Sequence, residues 1–338
     1  MSEIRPDELS GREKPRVSQD VAEATDESLE DTINQVIKFR KNVRLAPFTT
    51  FKIGGRAEYF YEAKTAEDFI SAIELAKELK FSFKIFAGGS NVVFPDGKLR
   101  GLLICLRGGQ IEVRGNKLIV NAGVDLASVI AKSISLGLRG LETLSGIPGT
   151  LGGAVVGNAG AYGHSISESA KRVEIWDGKR RRWLKNSECR FGYRESIFKH
   201  KSFIILQAEL IFKKGEKNKL EKISQDIIKV REKKYGMGIK CPGSYFKNVL
   251  VKDISKKSLK LIDKKKVIEG KIPAGYLLEE IGARGMRLGG IQIADFHGNL
   301  LMNTGKARAS EAKKLAKILK QKVYKKFGIK LEEEVRYF

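Results

Sequence analysis

Between Gly146 and Gly163 the chain places seven glycines in eighteen residues, with one proline and no charged side chain. So few side chains let backbone N–H groups approach a bulky ligand, and successive N–H groups in turns form a concave anion site. A second stretch of the same kind, Phe86-Ala-Gly-Gly-Ser-Asn91, follows directly on the apolar run Phe81-Ser-Phe-Lys-Ile-Phe86. Two glycine-rich turns, one at the end of a strand, suit a diphosphate held from two sides. Gly88-Gly89 lacks the G-x-G-x-x-G spacing of a Rossmann turn, and no G-K-[ST] follows either stretch, so a P-loop is excluded too. Each stretch alone is as well read as a set of tight turns; the pair favours a nucleotide cofactor.

The chain has 338 residues, 42% of them hydrophobic, enough for two or three domains with real cores. No apolar run reaches membrane-spanning length, and Met1-Ser-Glu-Ile-Arg-Pro-Asp-Glu carries no apolar signal core. Cys105, Cys189 and Cys241 are few and far apart, which fits reduced thiols and a cytoplasmic location. His164, His200 and His297 are scattered as well, so no metal site is expected. The formal charge of +24 is compatible with nucleic acid, but the lysines fall on predicted helix faces and in one insert, without regularly spaced aromatics. A basic surface that attracts an anionic small molecule explains them equally well.

Residues 1–25 are polar and mixed in charge and read as a disordered tail. Asp26 to Phe39 carries Leu29, Ile33, Val36 and Ile37 at helical spacing. From Val43 to about Lys214, short β-like runs are broken by glycine: Ala57–Tyr61, Phe83–Phe86, Leu102–Leu106, Lys117–Asn121, Val173–Trp176 and Phe203–Leu206. Helices are expected at Ala66–Leu79 and Leu126–Leu136. This irregular mixture predicts an α+β fold rather than a doubly wound sheet. Further on, Asn218–Lys234 has Leu220, Ile223, Ile227 and Ile228 at helical spacing. Ser310–Phe327 aligns Ala312, Leu315, Leu319, Val323 and Phe327 on one face and ends at Gly328. Between them lies a lysine-rich insert at 250–271, around Leu259, Leu261 and Ile262, expected to be a surface elaboration.

Six segments in order resemble the UDP-N-acetylenolpyruvoylglucosamine reductase (MurB) family. They are Asn42-Val with Phe48-Thr-Thr-Phe-Lys-Ile-Gly-Gly55; Ala87-Gly-Gly-Ser-Asn91; Gly146-Ile-Pro-Gly with Asn158-Ala-Gly-Ala-Tyr-Gly163; Phe191-Gly-Tyr-Arg-Glu-Ser196; Gly243-Ser-Tyr-Phe-Lys-Asn248; and Leu331-Glu-Glu-Glu-Val-Arg336. The resemblance runs from about residue 40 to the last residue. It implies an FAD-binding domain of the vanillyl-alcohol-oxidase (PCMH) type over 26–216, in two subdomains (about 26–107 and 108–216). A C-terminal α+β substrate-binding domain over 217–338 would close on it. NADPH would be the hydride donor and the enolpyruvyl ether of UDP-N-acetylglucosamine the substrate, taken by a monomer with no nucleic-acid or membrane partner.

The implied chemistry adds hydride to the enolpyruvyl β-carbon while negative charge builds on the α-carbon and its carboxylate. Such a site needs a cation facing the carboxylate and a proton source at the α-carbon. By the resemblance, Arg194 is the cation, and its planar fork suits a carboxylate. Ser244 is the implied proton donor, competing with a plain turn or cap role after Pro242-Gly243. Glu334 is the implied carboxylate, with Glu332 as the alternative because strand alternation points both to one side. The implied cofactor residues are Ile53, Gly54, Ala87, Gly88, Gly89, Ser90, Asn91, Gly146, Ile147, Pro148, Gly149, Gly152, Gly153, Asn158, Ala159, Gly160 and Ala161. Tyr193, Lys234, Asn248 and His297 are the implied substrate contacts, His297 being as well read as an ordinary loop histidine.

The chain departs from the shorter subtype of the family at Tyr235-Gly-Met-Gly-Ile, where Gln-Pro-Leu is usual, and again at the insert. Two other functions remain open on sequence. One is an FAD-dependent alcohol or lactone oxidase of the same flavin fold, which needs neither the Ser244 nor the Glu334 segment. The other is a non-catalytic basic protein that binds nucleotides.

Overall fold

The computed structural model describes residues 38–338 apart from Met237, so the expected tail and nearly all of the Asp26–Phe39 helix lie outside the described residues. The chain first builds a four-stranded sheet in the order Arg40–Arg44, Arg56–Ala63, Lys98–Leu106, Phe83–Phe86. Its first pair is antiparallel, the other two parallel. Parallel neighbours need a crossover, and helix Ala66–Glu78 supplies one. Thr65 starts that helix by accepting from the Asp68 N–H at 3.0 Å, and Phe69, Ala72, Ile73 and Ala76 bury its inner face.

A five-stranded, wholly antiparallel sheet follows, in the order Arg181–Lys185, Ala170–Trp176, Ile204–Ile211, Lys117–Asn121, Ile111–Arg114. Helices Leu126–Ser135 and Leu151–Gly157 add to the same apolar core, which the helix Ala66–Glu78 also joins. Two sheets of different type without β-α alternation make the α+β arrangement. Each strand expected from sequence is present, the last displaced to Ile204–Ile211 because the apolar run continues to Leu210 inside the sheet.

A second core is built mostly by the C-terminal part, with Phe51, Ile53 and Val93 of the first part inserted in it. Helix Ala309–Phe327 buries Ala312, Leu315, Leu319, Val323 and Phe327, and Gly328 closes it at φ 66°. A three-stranded sheet, Arg287–Leu288, Ile291–Ile293 and Leu301–Asn303, packs against it. Helix Lys217–Tyr235 differs from expectation: of its four predicted core residues only Leu220 is buried, while Ile223 and Ile228 are exposed. The helix links the two parts across the surface and meets the rest mainly at Glu142–Leu144, so its periodicity finds little to pack on. The insert is anchored more firmly than a surface elaboration. Val249–Leu250 pairs with Lys271–Ile272, Ile262 is buried, and Val251, Ile254 and Val267 pack on the C-terminal core.

Four ties between the two parts lie near the first glycine stretch and the C-terminal helix. Arg336–Tyr337 pairs in parallel with Val92–Val93. The Asp96 carboxylate caps the C-terminal helix by accepting from Ala309 N at 2.5 Å and Ser310 N at 3.0 Å. Asn303 Nδ2 donates to Phe51 O and Lys52 O at 3.1 and 3.0 Å. Asn91 Nδ2 donates to Glu334 O at 3.0 Å. Among the described residues no helix is long and apolar enough to cross a membrane, and no cluster of His, Cys, Asp or Glu is placed to hold a metal ion.

Candidate active site

The two glycine-rich stretches meet backbone to backbone. A Cβ placed on Gly88 would lie 2.7 Å from Gly149 Cα, closer than real Cβ contacts come, so only glycine permits this approach. Gly89, at φ 70°, presses on the carbonyl of Phe48, and its own carbonyl accepts from Thr50 N at 3.1 Å. Ser90 lies against Gly149, and Ala87 against Gly153. The N–H groups of Gly88, Gly89, Ser90 and Gly149 donate to no partner among the described residues, which leaves four donors at the meeting point of the loops. Beside it, a cavity of about 320 Å³ is lined by Arg107, Gly108, Gly109, Gly123, Val124 and Asp125. Asp125 bridges to Thr150, so this cavity adjoins the second stretch.

Other residues named for the cofactor have their groups engaged in the fold. Ile53 is buried in the C-terminal core, and Gly54 at φ 141° packs on Phe94. Gly152 N donates to Ala122 O at 2.8 Å, Gly153 N to Thr150 Oγ1 at 3.3 Å. Asn158 Nδ2 donates to Gly192 O at 2.8 Å and its Oδ1 accepts from Ser167 N at 3.3 Å, so this side chain shapes the loop rather than facing out of it. Ala159 N bonds Ala154 O, and Gly160–Ala161 forms a small hairpin with His164–Ser165. Ile147 packs on the core, with Pro148 between it and Gly149. Gly146 lies under the side chain of Arg231, a residue that sequence reasoning missed. The buried Nε atoms of Arg231 and Arg107 have no hydrogen-bond partner. Free backbone donors, two glycine loops in contact and two buried, unsatisfied guanidinium nitrogens fit a bound dinucleotide such as FAD.

At the junction of the two parts stands an ion pair. Arg194 Nε lies 2.8 Å from Glu334 Oε1, both side chains mostly buried, although the Nε–H is not aligned well enough for a hydrogen bond. Arg194 has φ 53°, its Nη2 donates to Gly160 O at 2.8 Å, and its carbonyl accepts from Lys199 Nζ at 2.6 Å. Burial pushes the Glu334 carboxyl above its ordinary range, against the pull of Arg194 and Lys199. Burial, then the neighbouring Lys247, pushes the Lys199 ammonium down. Glu332, by contrast, is exposed and pairs with Lys247, so of the two candidate carboxylates Glu334 is the one against Arg194.

Ser244 enters this junction on the segment that pairs with Glu332–Glu334. Glu334 N donates to Tyr245 O at 2.8 Å, Lys247 N donates to Glu332 O at 2.9 Å, and Phe246 bridges Glu333. The Ser244 hydroxyl has no hydrogen-bond partner among the described residues. Asn299, which sequence reasoning also missed, holds the segment from behind. It is buried, its Oδ1 accepts from Phe246 N at 2.9 Å, its Nδ2 donates to Phe246 O at 2.8 Å, and its carbonyl accepts from Tyr245 N at 3.0 Å. The signal was the word His-Gly-Asn, in which only the histidine drew attention.

The proposed substrate contacts fall in two groups. Tyr193 OH accepts from Asn248 N at 3.1 Å, and Asn248 Oδ1 accepts from Ala274 N at 3.1 Å, which leaves the Asn248 amide hydrogens free. His297 stacks on Tyr235 at 6.3 Å, with Lys234 Nζ 5.4 Å from the same ring. Burial and the Lys234 charge hold His297 below the usual histidine range, and its Nδ1 accepts from Asn299 N at 3.0 Å, which leaves the proton on Nε2. Asn299 connects this group to the Ser244 segment.

Comparison with known proteins agrees with this layout. Residues 57–180 match the family model of the FAD binding domain, and residues 234–338 match that of the UDP-N-acetylenolpyruvoylglucosamine reductase C-terminal domain. The chain is 43% identical over 294 residues to the UDP-N-acetylenolpyruvoylglucosamine reductase of Solibacter usitatus, covering 87% of this chain and 94% of the relative. It is 34% identical over 293 residues to that of Thermotoga sp. strain RQ2, covering 86% and 91%. The crystal structure of the reductase from Thermus caldophilus superposes with a TM-score of 0.71 at 27% identity, over 89% of this chain and 99% of that one. The fold is that of an oxidoreductase with an FAD-binding domain of the vanillyl-alcohol-oxidase (PCMH) type. Within that class, the chain belongs to the UDP-N-acetylenolpyruvoylglucosamine reductase family.

Proposed function

We propose that this chain reduces the enolpyruvyl ether of UDP-N-acetylglucosamine to the lactyl ether of UDP-N-acetylmuramate, with NADPH as hydride donor. The observation that carries the reading is the Arg194–Glu334 pair at 2.8 Å, set beside the segment that begins at Ser244. Arg194 and Glu334, from the two parts of the chain, stand side by side, and Ser244 precedes Tyr245, whose carbonyl accepts from Glu334 N. This supports a site that offers a cation and a proton to a carboxylate-bearing enol ether. FAD, if held by the two glycine loops, would supply hydride chemistry between a nicotinamide and the β-carbon.

The remaining work belongs to the side chains. Arg194, fixed by Gly160 and Glu334, presents its guanidinium to the substrate carboxylate and stabilises the charge that builds there. The Ser244 hydroxyl delivers a proton to the α-carbon, a weak acid made effective by being held in line. Glu334, with its raised affinity for protons, sets the orientation of Arg194 and favours proton transfer at its side of the site. Tyr193 and the free amide of Asn248 hold the nucleotide sugar, while Lys234 faces its diphosphate as a point charge and neutral His297 donates from Nε2.

Anaerobic stopped-flow spectroscopy at the flavin band tests this. NADPH should bleach the protein, and UDP-N-acetylglucosamine enolpyruvate should restore the colour rapidly. Bleaching without recolouring would remove the substrate assignment and favour an oxidase or dehydrogenase of the same flavin fold.

A further inference from the structure

The three most exposed large hydrophobic side chains of the described residues are Ile268 at 60%, Tyr324 at 54% and Leu261 at 53%. Leu261 and Tyr324 flank one contact, while Ile268 opens the turn whose Glu269 carboxylate meets Gly163. Leu261 and Ile268 are carried by the insert, and Tyr324 sits in the last turn of helix Ala309–Phe327. The insert rests on that helix end: Ser258 Oγ would lie 3.1 Å from a Cβ on Gly328, the residue whose N–H donates to Tyr324 O at 2.8 Å. Leu261 N donates in turn to Ser258 O. The inward side of the insert is spent on the core through Val251, Ile254, Ile262 and Val267. Its outward side carries Lys256, Lys257, Lys260, Lys264, Lys265 and Lys266, none of which pairs with a carboxylate among the described residues.

We propose that this face docks on an anionic lipid surface, with the lysines over the headgroups and Leu261 and Tyr324 entering the interface. Unpaired lysines ringing exposed apolar side chains are complementary to a negatively charged, apolar-cored surface and to little else. Nucleic acid is the weaker match, because the insert contains no arginine and Tyr324 is the one aromatic ring assigned to the face. At its C-terminal end the insert meets the site, with Glu269 against Gly163 and Lys271 Nζ 5.3 Å from the Tyr193 ring, so docking there would reach the second glycine stretch.

Flotation of the full-length protein with vesicles tests the proposal, using equal parts phosphatidylglycerol and phosphatidylcholine against phosphatidylcholine alone. The protein should float with the anionic vesicles only, and less at high salt. Each lysine near such a surface strengthens partition about fivefold, so the triple variant Lys264→Glu, Lys265→Glu, Lys266→Glu should weaken it at least ~100-fold. Leu261→Asp with Tyr324→Asp should weaken flotation that persists at high salt. The same charge change on the linker helix, Lys222→Glu, Lys229→Glu, Lys233→Glu, should cost far less. Equal loss from both triple variants would reduce the effect to net charge and overturn the proposal, as would absence of flotation. Tighter binding of single-stranded RNA than of vesicles, lost in the insert variant, would overturn it in favour of nucleic acid.

Discussion

Replacing Arg194 by lysine isolates the contact on which the proposed chemistry depends. The guanidinium is fixed on two edges, with Nη2 on Gly160 O and Nε beside Glu334 Oε1, each at 2.8 Å. A planar fork can hold both and still offer N–H groups to a substrate carboxylate; one ammonium on a flexible stem cannot. The backbone cost at φ 53° is common to both residues, so folding should be little affected. Loss of one charge-assisted hydrogen bond is worth about 1.5–3 kcal/mol, or ~10- to 150-fold in rate. That loss should appear in flavin reoxidation by the enolpyruvyl substrate. Reduction by NADPH should stay within about twofold, because the glycine loops are untouched. Anaerobic stopped-flow separates the two half-reactions. Equal slowing of both would mean that Arg194 acts through the fold or the cofactor, and an unaltered reoxidation rate would refute its role at the carboxylate.

Four other perturbations probe the remaining parts of the site. Gly88→Ala drives a Cβ to 2.7 Å from Gly149 Cα, so the purified variant should carry much less flavin per protein by absorbance; full occupancy would show that the loops can part without harm. Asn299→Ala strands the N–H and C=O of Phe246 in a buried site and should cost about 2–4 kcal/mol, seen as a lower Tm; an unchanged Tm would mean that water replaces the amide. Glu334 has a folded-state pKa raised above 4.5, so its contribution to stability is complete below that pH and is lost as pH rises through the raised value. Glu334→Gln, neutral throughout, should therefore gain in Tm over the parent toward neutral pH, with the gap closing in acid, and a parent that is the more stable at neutral pH would contradict this. His297 should titrate below 6.5 by NMR, since burial and Lys234 disfavour its charged form; titration above that value would mean that the Glu279 carboxylate outweighs them.

What could be read in the sequence followed from periodicity and from glycine. Helix Ala309–Phe327 was legible because five apolar residues at helical spacing meet a core, with Gly328 ending the run. Helix Lys217–Tyr235 shows the same spacing and buries only Leu220, because periodicity records what a helix offers and not whether a partner covers it. The glycine stretches announced close backbone approach, but not that Gly88 and Gly149 approach each other. Arg194 and Glu334 were named only through a family resemblance; nothing in a tyrosine-arginine pair or a run of three glutamates predicts an ion pair across 140 residues. Asn299 and Arg231 were missed for a related reason. A buried asparagine that satisfies a distant strand, and an arginine lying on a glycine, have no local signature.

The ties between the two parts explain why the loop proposed to contact cofactor and the strand proposed to carry chemistry need not be separate devices. Within ten residues, Ala87 to Asp96, the chain runs from the first glycine turn through Asn91, which holds the Glu334 carbonyl. It then passes Val92–Val93, which pairs with Arg336–Tyr337, and reaches Asp96, which caps the C-terminal helix. Glu334 in turn holds Tyr245, next to Ser244, through its backbone N–H. The glycine turn is thus connected to the residue beside Ser244 by a continuous chain of hydrogen bonds through Asn91 and Glu334. Tyr245 OH and Tyr337 OH, 2.7 Å apart, brace the same strands from the other side, and Lys320 holds Glu333 at 2.5 Å. Rigidity of this kind is what an uncatalysed weak acid such as a serine hydroxyl requires, because its advantage lies in alignment rather than in acidity.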